Sequence, residues 1–134
     1  MFEKVLVSTD FSAPSKQLIH CVEEFRCLGV KEVVLAHVVD FRTAGMSMEA
    51  FRIHDETKLN EERKRFENLG ISAKSVVTIG NPALEIVHFA EEEKASLIVI
   101  PKRGKGTIGE LIIGSTAQSV TQRSKIPVLV LPCA

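Results

Sequence analysis

Apolar residues in this chain follow two patterns that alternate along its length. In the first they form short unbroken runs: Lys4 to Ser8 (KVLVS), Val33 to Val39 (VVLAHVV), Ser75 to Ile79 (SVVTI), Leu97 to Ile100 (LIVI) and Val128 to Leu131 (VLVL). Such runs, rich in β-branched and aliphatic side chains, are what strands need when both faces of their sheet are covered. In the second pattern apolar residues recur every three or four positions. Leu18, Ile19, Val22 and Phe25 do so after Pro14, which suits a first helical turn, and they stop at Gly29. A long, highly charged stretch from about Met48 to Asn68 carries Phe51, Leu59 and Phe66, with Leu69 just beyond it, and stops at Gly70. Gly80-Asn81-Pro82 breaks the third strand and starts a helix from Ala83 to about Lys94, with Leu84, Ile86, Val87 and Ala90 available to a core. Ser115 to about Arg123 is the last helix, Ala117 and Val120 facing inward, while Phe41 to Met48 has no period and is read as a loop. The order βαβαβαβαβ predicts an α/β fold: an open five-stranded parallel sheet with helices on both faces, because each parallel crossover needs a helix-length connection of fixed hand.

A length of 134 residues suits one domain spanning residues 1–134. Lys and Arg balance Asp and Glu, for a formal net charge of zero. That removes any whole-molecule field for DNA, RNA or an anionic membrane, so an anion site has to come from local clustering. Cys21, Cys27 and Cys133 are odd in number and lack the Cys-x-x-Cys spacing of a zinc or redox centre, which predicts free thiols in a reducing compartment. The chain runs from Met1 directly into the first strand without a signal-peptide pattern, and no apolar run approaches the roughly 18 residues of a membrane span. The expectation is a cytoplasmic protein with no membrane or nucleic-acid partner.

Local clustering exists in one stretch, ASLIVIPKRGKGTIGELIIGST, from Ala95 to Thr116. After the strand at Leu97, the segment Pro101-Lys102-Arg103-Gly104-Lys105-Gly106 sets three cations among residues that turn the chain, and glycines let backbone N–H groups approach an anion. Gly114-Ser115 then opens the last helix, whose unpaired N–H groups and dipole favour a phosphate. Two familiar spellings fail here. Gly104-x-Gly106-x-x-Gly109 reads as a dinucleotide fingerprint, but it follows the fourth strand and no acidic residue ends the fifth. The Walker pattern G-x-x-x-x-G-K-[ST] does not occur.

A third spacing, Gly104, nine residues, then Gly114-Ser115, with Pro101 three positions before Gly104, resembles the signature G-x2-G-x9-G-[ST] of the universal stress protein family. The resemblance covers nearly the whole chain. Val5-Leu6-Val7-Ser8-Thr9-Asp10-Phe11-Ser12 is similar to the family's first strand and acidic loop, and His37-Val38-Val39-Asp40 to the end of its second strand. Gly80-Asn81-Pro82 is similar to its G-x-P element, and Pro127-Val128-Leu129-Val130 to its closing strand. The resemblance implies a Rossmann-like, adenine nucleotide alpha hydrolase-like sheet of order 3-2-1-4-5, with strands one and four meeting where the order reverses. It further implies binding of an adenine nucleotide (ATP, ADP or AMP), with Mg2+ as an optional companion, in a sensor or regulator of stress response.

By the same resemblance, Asp10 contacts the adenosine end and the backbone near Val39 faces adenine. The amides of Gly104, Gly114 and Ser115, with the Ser115 hydroxyl, hold ribose and phosphate oxygens. Thr9, Pro101, Arg103 and Thr116 complete the expected set. Pro101 replaces the first glycine of the signature and lacks its N–H, which implies weaker or altered nucleotide binding. The family also implies a homodimer through the last strand, and Val128 to Leu131 is an uncharged edge of the kind that needs covering.

Other roles stand beside these. Asp10 suits an N-cap, the three cations suit a solvated loop, and Gly114-Ser115 suits a plain helix start. His37, near a strand end, reads as a hydrogen-bonded structural histidine, while His20, His54 and His88 lie on separate helices. No nucleophile–base pair is evident, so an enzyme is disfavoured; slow ATP hydrolysis at Asp10 or Asp40 and a nucleotide-free protein-interaction module are the alternatives.

Overall fold

The computed structural model of the chain describes residues 2–9, 19–22, 24, 26, 29–40, 48–102 and 113–131, and of residues 48–55 the backbone alone. Five strands, β1 (Lys4–Ser8), β2 (Glu32–Asp40), β3 (Ser72–Gly80), β4 (Leu97–Pro101) and β5 (Val128–Leu131), form one sheet in the order β3-β2-β1-β4-β5. Every pairing is parallel. Among the described residues, three helices, α1 (Met48–Asn68), α2 (Pro82–Glu92) and α3 (Ser115–Arg123), lie between strands, and residues 19–22 are helical between β1 and β2. The expected fold class and strand order are both present.

Side chains alternate across the sheet, so each strand feeds two cores. On one face Val5, Val7, Val33, Leu35, Leu97 and Val99 meet Ile19 and Val22 of the first helical stretch and Leu59 and Phe66 of α1. On the other, Leu6, Val34, Ile98 and Ile100 meet Ala83, Ile86 and Ala90 of α2 and Ala117 and Val120 of α3. The apolar stripe of α1 is narrow: Leu59 and Phe66 are fully buried, and the charges around them stay largely in water. Leu18, Phe25 and Phe51 lie outside the described side chains.

The boundaries that differ from expectation do so for physical reasons. β3 begins at Ser72, three residues before its apolar run, because it is an edge strand: Ala73 packs against the core while Ser72 is exposed. α2 begins at Pro82, with Asn81 as N-cap accepting from the Leu84 amide at 3.2 Å, and ends at Glu92 rather than Lys94. Lys94 takes the left-handed backbone (φ 56°) that more often falls to glycine after a helix, as it does at Gly29 (φ 95°) and Gly70 (φ 82°). Leu84, expected to be available for burial, is about half exposed (48%), since Ala83, Ile86 and Ala90 already fill the inward face. Among the described residues, no helix is long and apolar enough to cross a membrane, and Cys21 takes part in no disulfide.

Candidate functional site

The two central strands, β1 and β4, run side by side, and their crossovers leave in opposite directions: β1 leads toward β2 and β3, and β4 toward β5. At such a reversal the connections part and a crevice opens beyond the carboxyl ends of the strands. Register shows what lines it. Val7 lies against Leu35 on one side and Val99 on the other, and all three are fully buried. Continuing both registers by two residues sets Thr9 opposite His37 on β2 and Pro101 on β4. The apolar core therefore gives way to polar groups one pleat beyond Val7.

Thr9 (3% exposed) and His37 (8%) are the buried polar residues among those described. The Thr9 amide donates to the Ala36 carbonyl at 3.0 Å. The Thr9 carbonyl lies 2.7 Å from His37 Nδ1, and because a carbonyl can only accept, Nδ1 carries the proton. Val39, two residues further along β2 on the same face, is buried at the crevice level. Asp40 ends β2 opposite Gly80 and is half-buried.

On β4 the expected loop residue Pro101 is instead the last residue of the strand, paired with Leu131. The reason is the direction of its amide. Ile98 and Lys102 donate to Pro127 and Leu131 of β5, at 2.9 Å each, so amides at even positions serve β5 and those at odd positions face β1. A proline at 101 costs β4 nothing on its β5 side. The missing donor points into the gap between β1 and β4.

Lys102, singled out in the sequence for its charge, contributes through its backbone. Its carbonyl accepts from the Gly114 amide at 2.6 Å, which ties the start of α3 to the end of β4. Gly114 is the N-cap of α3, buried, with φ −64° and ψ 154°, a conformation open to any residue. Glycine's contribution here is the missing side chain: no side-chain oxygen caps α3, and its first turn holds no acidic residue. Ser115 is exposed and Thr116 half-buried in that turn. The structure thus brings Thr9, Val39 and Pro101 to the strand ends and tethers Gly114 to the residue after Pro101. Asp10, Arg103, Gly104 and Lys105 lie outside the described residues. Among the described residues no group of three His, Cys, Asp or Glu side chains is placed to hold a metal ion.

Sequence reasoning missed the Lys102 carbonyl and, for His37, which reads as hydrogen-bonded, the identity of its partner, the Thr9 carbonyl. Both involve backbone acceptors supplied by register, which no residue type announces. The shifted ionisations lie far from this crevice. Glu93 is held below the ordinary carboxylate range by its hydrogen bond with Lys74 and by Lys4, at 3.2 Å, and Lys74 is raised in return. Lys4 and Lys74 stand at or near the starts of β1 and β3, the opposite end of the sheet.

The comparison with known proteins agrees with this architecture. The model of the universal stress protein family matches residues 1–132. Universal stress protein MJ0577 of Methanocaldococcus jannaschii is 32% identical, with 98% of this chain and 95% of that protein covered. Its solved structure superposes with a TM-score of 0.88 at 31% identity, covering 98% and 96% of the two chains. A universal stress protein in complex with cAMP (22% identity, TM-score 0.74, 98% of each chain) and one from Archaeoglobus fulgidus in complex with dAMP (23%, 0.69, 97% and 98%) share the fold. From its first strand to its last, this chain belongs to the universal stress protein family.

Proposed function

We propose that this protein binds an adenine nucleotide in the crevice beyond β1 and β4 and acts as a nucleotide-dependent sensor or regulator in stress response. The observation that carries the reading is the start of α3, which lacks a side-chain cap and is fastened by Gly114 to the end of β4. Free amides at a helix start favour an anion, and this start lies beside the strand ends that hold Thr9 and Val39. Proteins of the same fold hold cAMP and dAMP, which supports adenine nucleotides as the ligand class. In this reading the phosphates sit on the Ser115 and Thr116 amides with Arg103 and Gly104, while the Gly114 amide, expected from the sequence to join them, is instead taken by the Lys102 carbonyl; the adenosine lies between Asp10 and the Val39 backbone, and Mg2+ accompanies a triphosphate. The protein works in the cytoplasm as a homodimer joined through β5.

The test is direct. Ion exchange of the supernatant from denatured protein reveals a co-purified nucleotide, and calorimetric titration ranks ATP, ADP and AMP. Gly114→Asp, which puts a carboxylate where phosphate is proposed, is expected to weaken binding at least about tenfold. Absence of binding by the wild type at millimolar concentration overturns the reading and leaves a protein-contact module in its place.

A further inference from the structure

The face of the sheet that packs on α1 is apolar along the central strands: Val5 and Val7 on β1, Val33 and Leu35 on β2, Leu97 and Val99 on β4. At the next level it changes to Thr9, His37 and Pro101. Stability does not ask for this change. A buried amide or imidazole gains little net free energy from its hydrogen bond, whereas aliphatic side chains at the same level would extend the core below. The polar pair stands where β1 ends, and the His37 ring reaches across to the neighbouring strand and takes the Thr9 carbonyl at 2.7 Å. That carbonyl belongs to the residue that follows the end of β1, at the crevice.

We propose that His37 is a positioning residue: by donating Nδ1–H to the Thr9 carbonyl it fixes the orientation of that carbonyl just past the end of β1, and so the geometry of the nucleotide crevice. A peptide unit is planar, so fixing its carbonyl fixes the whole unit. The donor sits on β2, a strand held in register on both sides, by β1 and by β3, which gives the ring a rigid base. A ring buried to 8% exposure has little freedom to turn away. The tautomer is thereby set as well, with the proton on Nδ1.

This proposal rests on the nucleotide reading, and the experiment separates the two. His37→Asn keeps an N–H on the atom attached to Cγ, where Nδ1 stands; His37→Gln moves it one bond further out. Titrated with ATP, ADP and AMP below both melting midpoints, H37Q is expected to bind about tenfold more weakly than wild type and H37N at least about fivefold more tightly than H37Q. Equal affinities for the two variants overturn the positioning role, since a merely structural histidine would move the midpoints and leave the affinities together. In the wild-type protein, nitrogen NMR of the rings is expected to show His37 protonated at Nδ1 without ligand and more slowly exchanging when saturated with nucleotide. A bare Nδ1, or exchange that saturation leaves unchanged, overturns the proposal whether or not the variants fold. A wild type that binds no nucleotide, with Nδ1 protonated as described, overturns the functional reading and with it any role of His37 in binding.

Discussion

At Pro101 the chain gives up an amide that faces the gap between β1 and β4, while the neighbouring amide of Lys102 still serves β5. Proline there stops the ladder between the central strands from gaining a further bond just where the crevice has to open. Pro101→Gly restores a donor in the gap. Nucleotide affinity is expected to rise about three- to tenfold by titration, since a backbone bond to a charged group is worth roughly 1.5–3 kcal/mol before losses elsewhere. The melting midpoint falls at the same time, because glycine enlarges the conformational freedom of the unfolded chain. Unchanged affinity would mean that the new amide pairs with the Ser8 carbonyl instead. Residue types told much of this in advance: Pro101 was legible as a departure, His37 as hydrogen-bonded, and Gly114 as a helix opener. What they hid was direction. Whether an amide points to β5 or to β1 depends on the parity of the register, and the partner of His37 is a carbonyl 28 positions earlier, visible only once the strands pair.

Among the elements, α1, α3 and β5 lie where their sequence patterns place them, α1 despite its many charges, and β3 does not. β3 was cut short because Ser72, Ala73 and Lys74 carry no apolar signal, although an edge strand asks for none. Lys74 has a second task. It and Lys4 meet the carboxylate of Glu93, just past the end of α2, so one side chain joins β1, β3 and the end of a helix. Glu93 is lowered below its ordinary value of 4.5, chiefly by the hydrogen bond from Lys74. A lowered folded value means that the stabilisation is present above 4.5 and is lost as pH falls through the folded value. Lys74, raised above 10.5 chiefly by its bond to Glu93, loses its share as pH climbs through its own raised value. Glu93→Gln is expected to lower the melting midpoint by a few degrees at pH 7, and the gap to wild type is expected to shrink when melts are repeated near pH 3. A gap that stays constant would show that the ionised carboxylate is not what joins these elements.

For the whole molecule, the alternation of elements was enough to give a parallel sheet, and the strand order came from likeness to a family, because no local pattern says which strand lies in the middle. The two edges of that sheet differ. β3 runs for nine residues with α1 packed beside it, whereas β5 has four residues, all half-buried. Pro127 and Leu131 turn their carbonyls toward β4, so Val128 and Val130 turn their backbone groups outward. If β5 joins the proposed homodimer, Val130→Pro removes an outward donor without touching the ladder to β4. Light scattering after size exclusion is expected to show a dimer for the wild type and a monomer of unchanged circular dichroism for V130P; a wild type that is monomeric at micromolar concentration removes this interface. The start of α3 bears on the life of the molecule in the cell as well. A helix whose first turn is finished by a bound anion frays more when that anion is scarce, and proteolysis begins at frayed elements. On the reading given above, each molecule's survival depends on its ligand, and the amount of protein present becomes a slow record of how much nucleotide the cell has held.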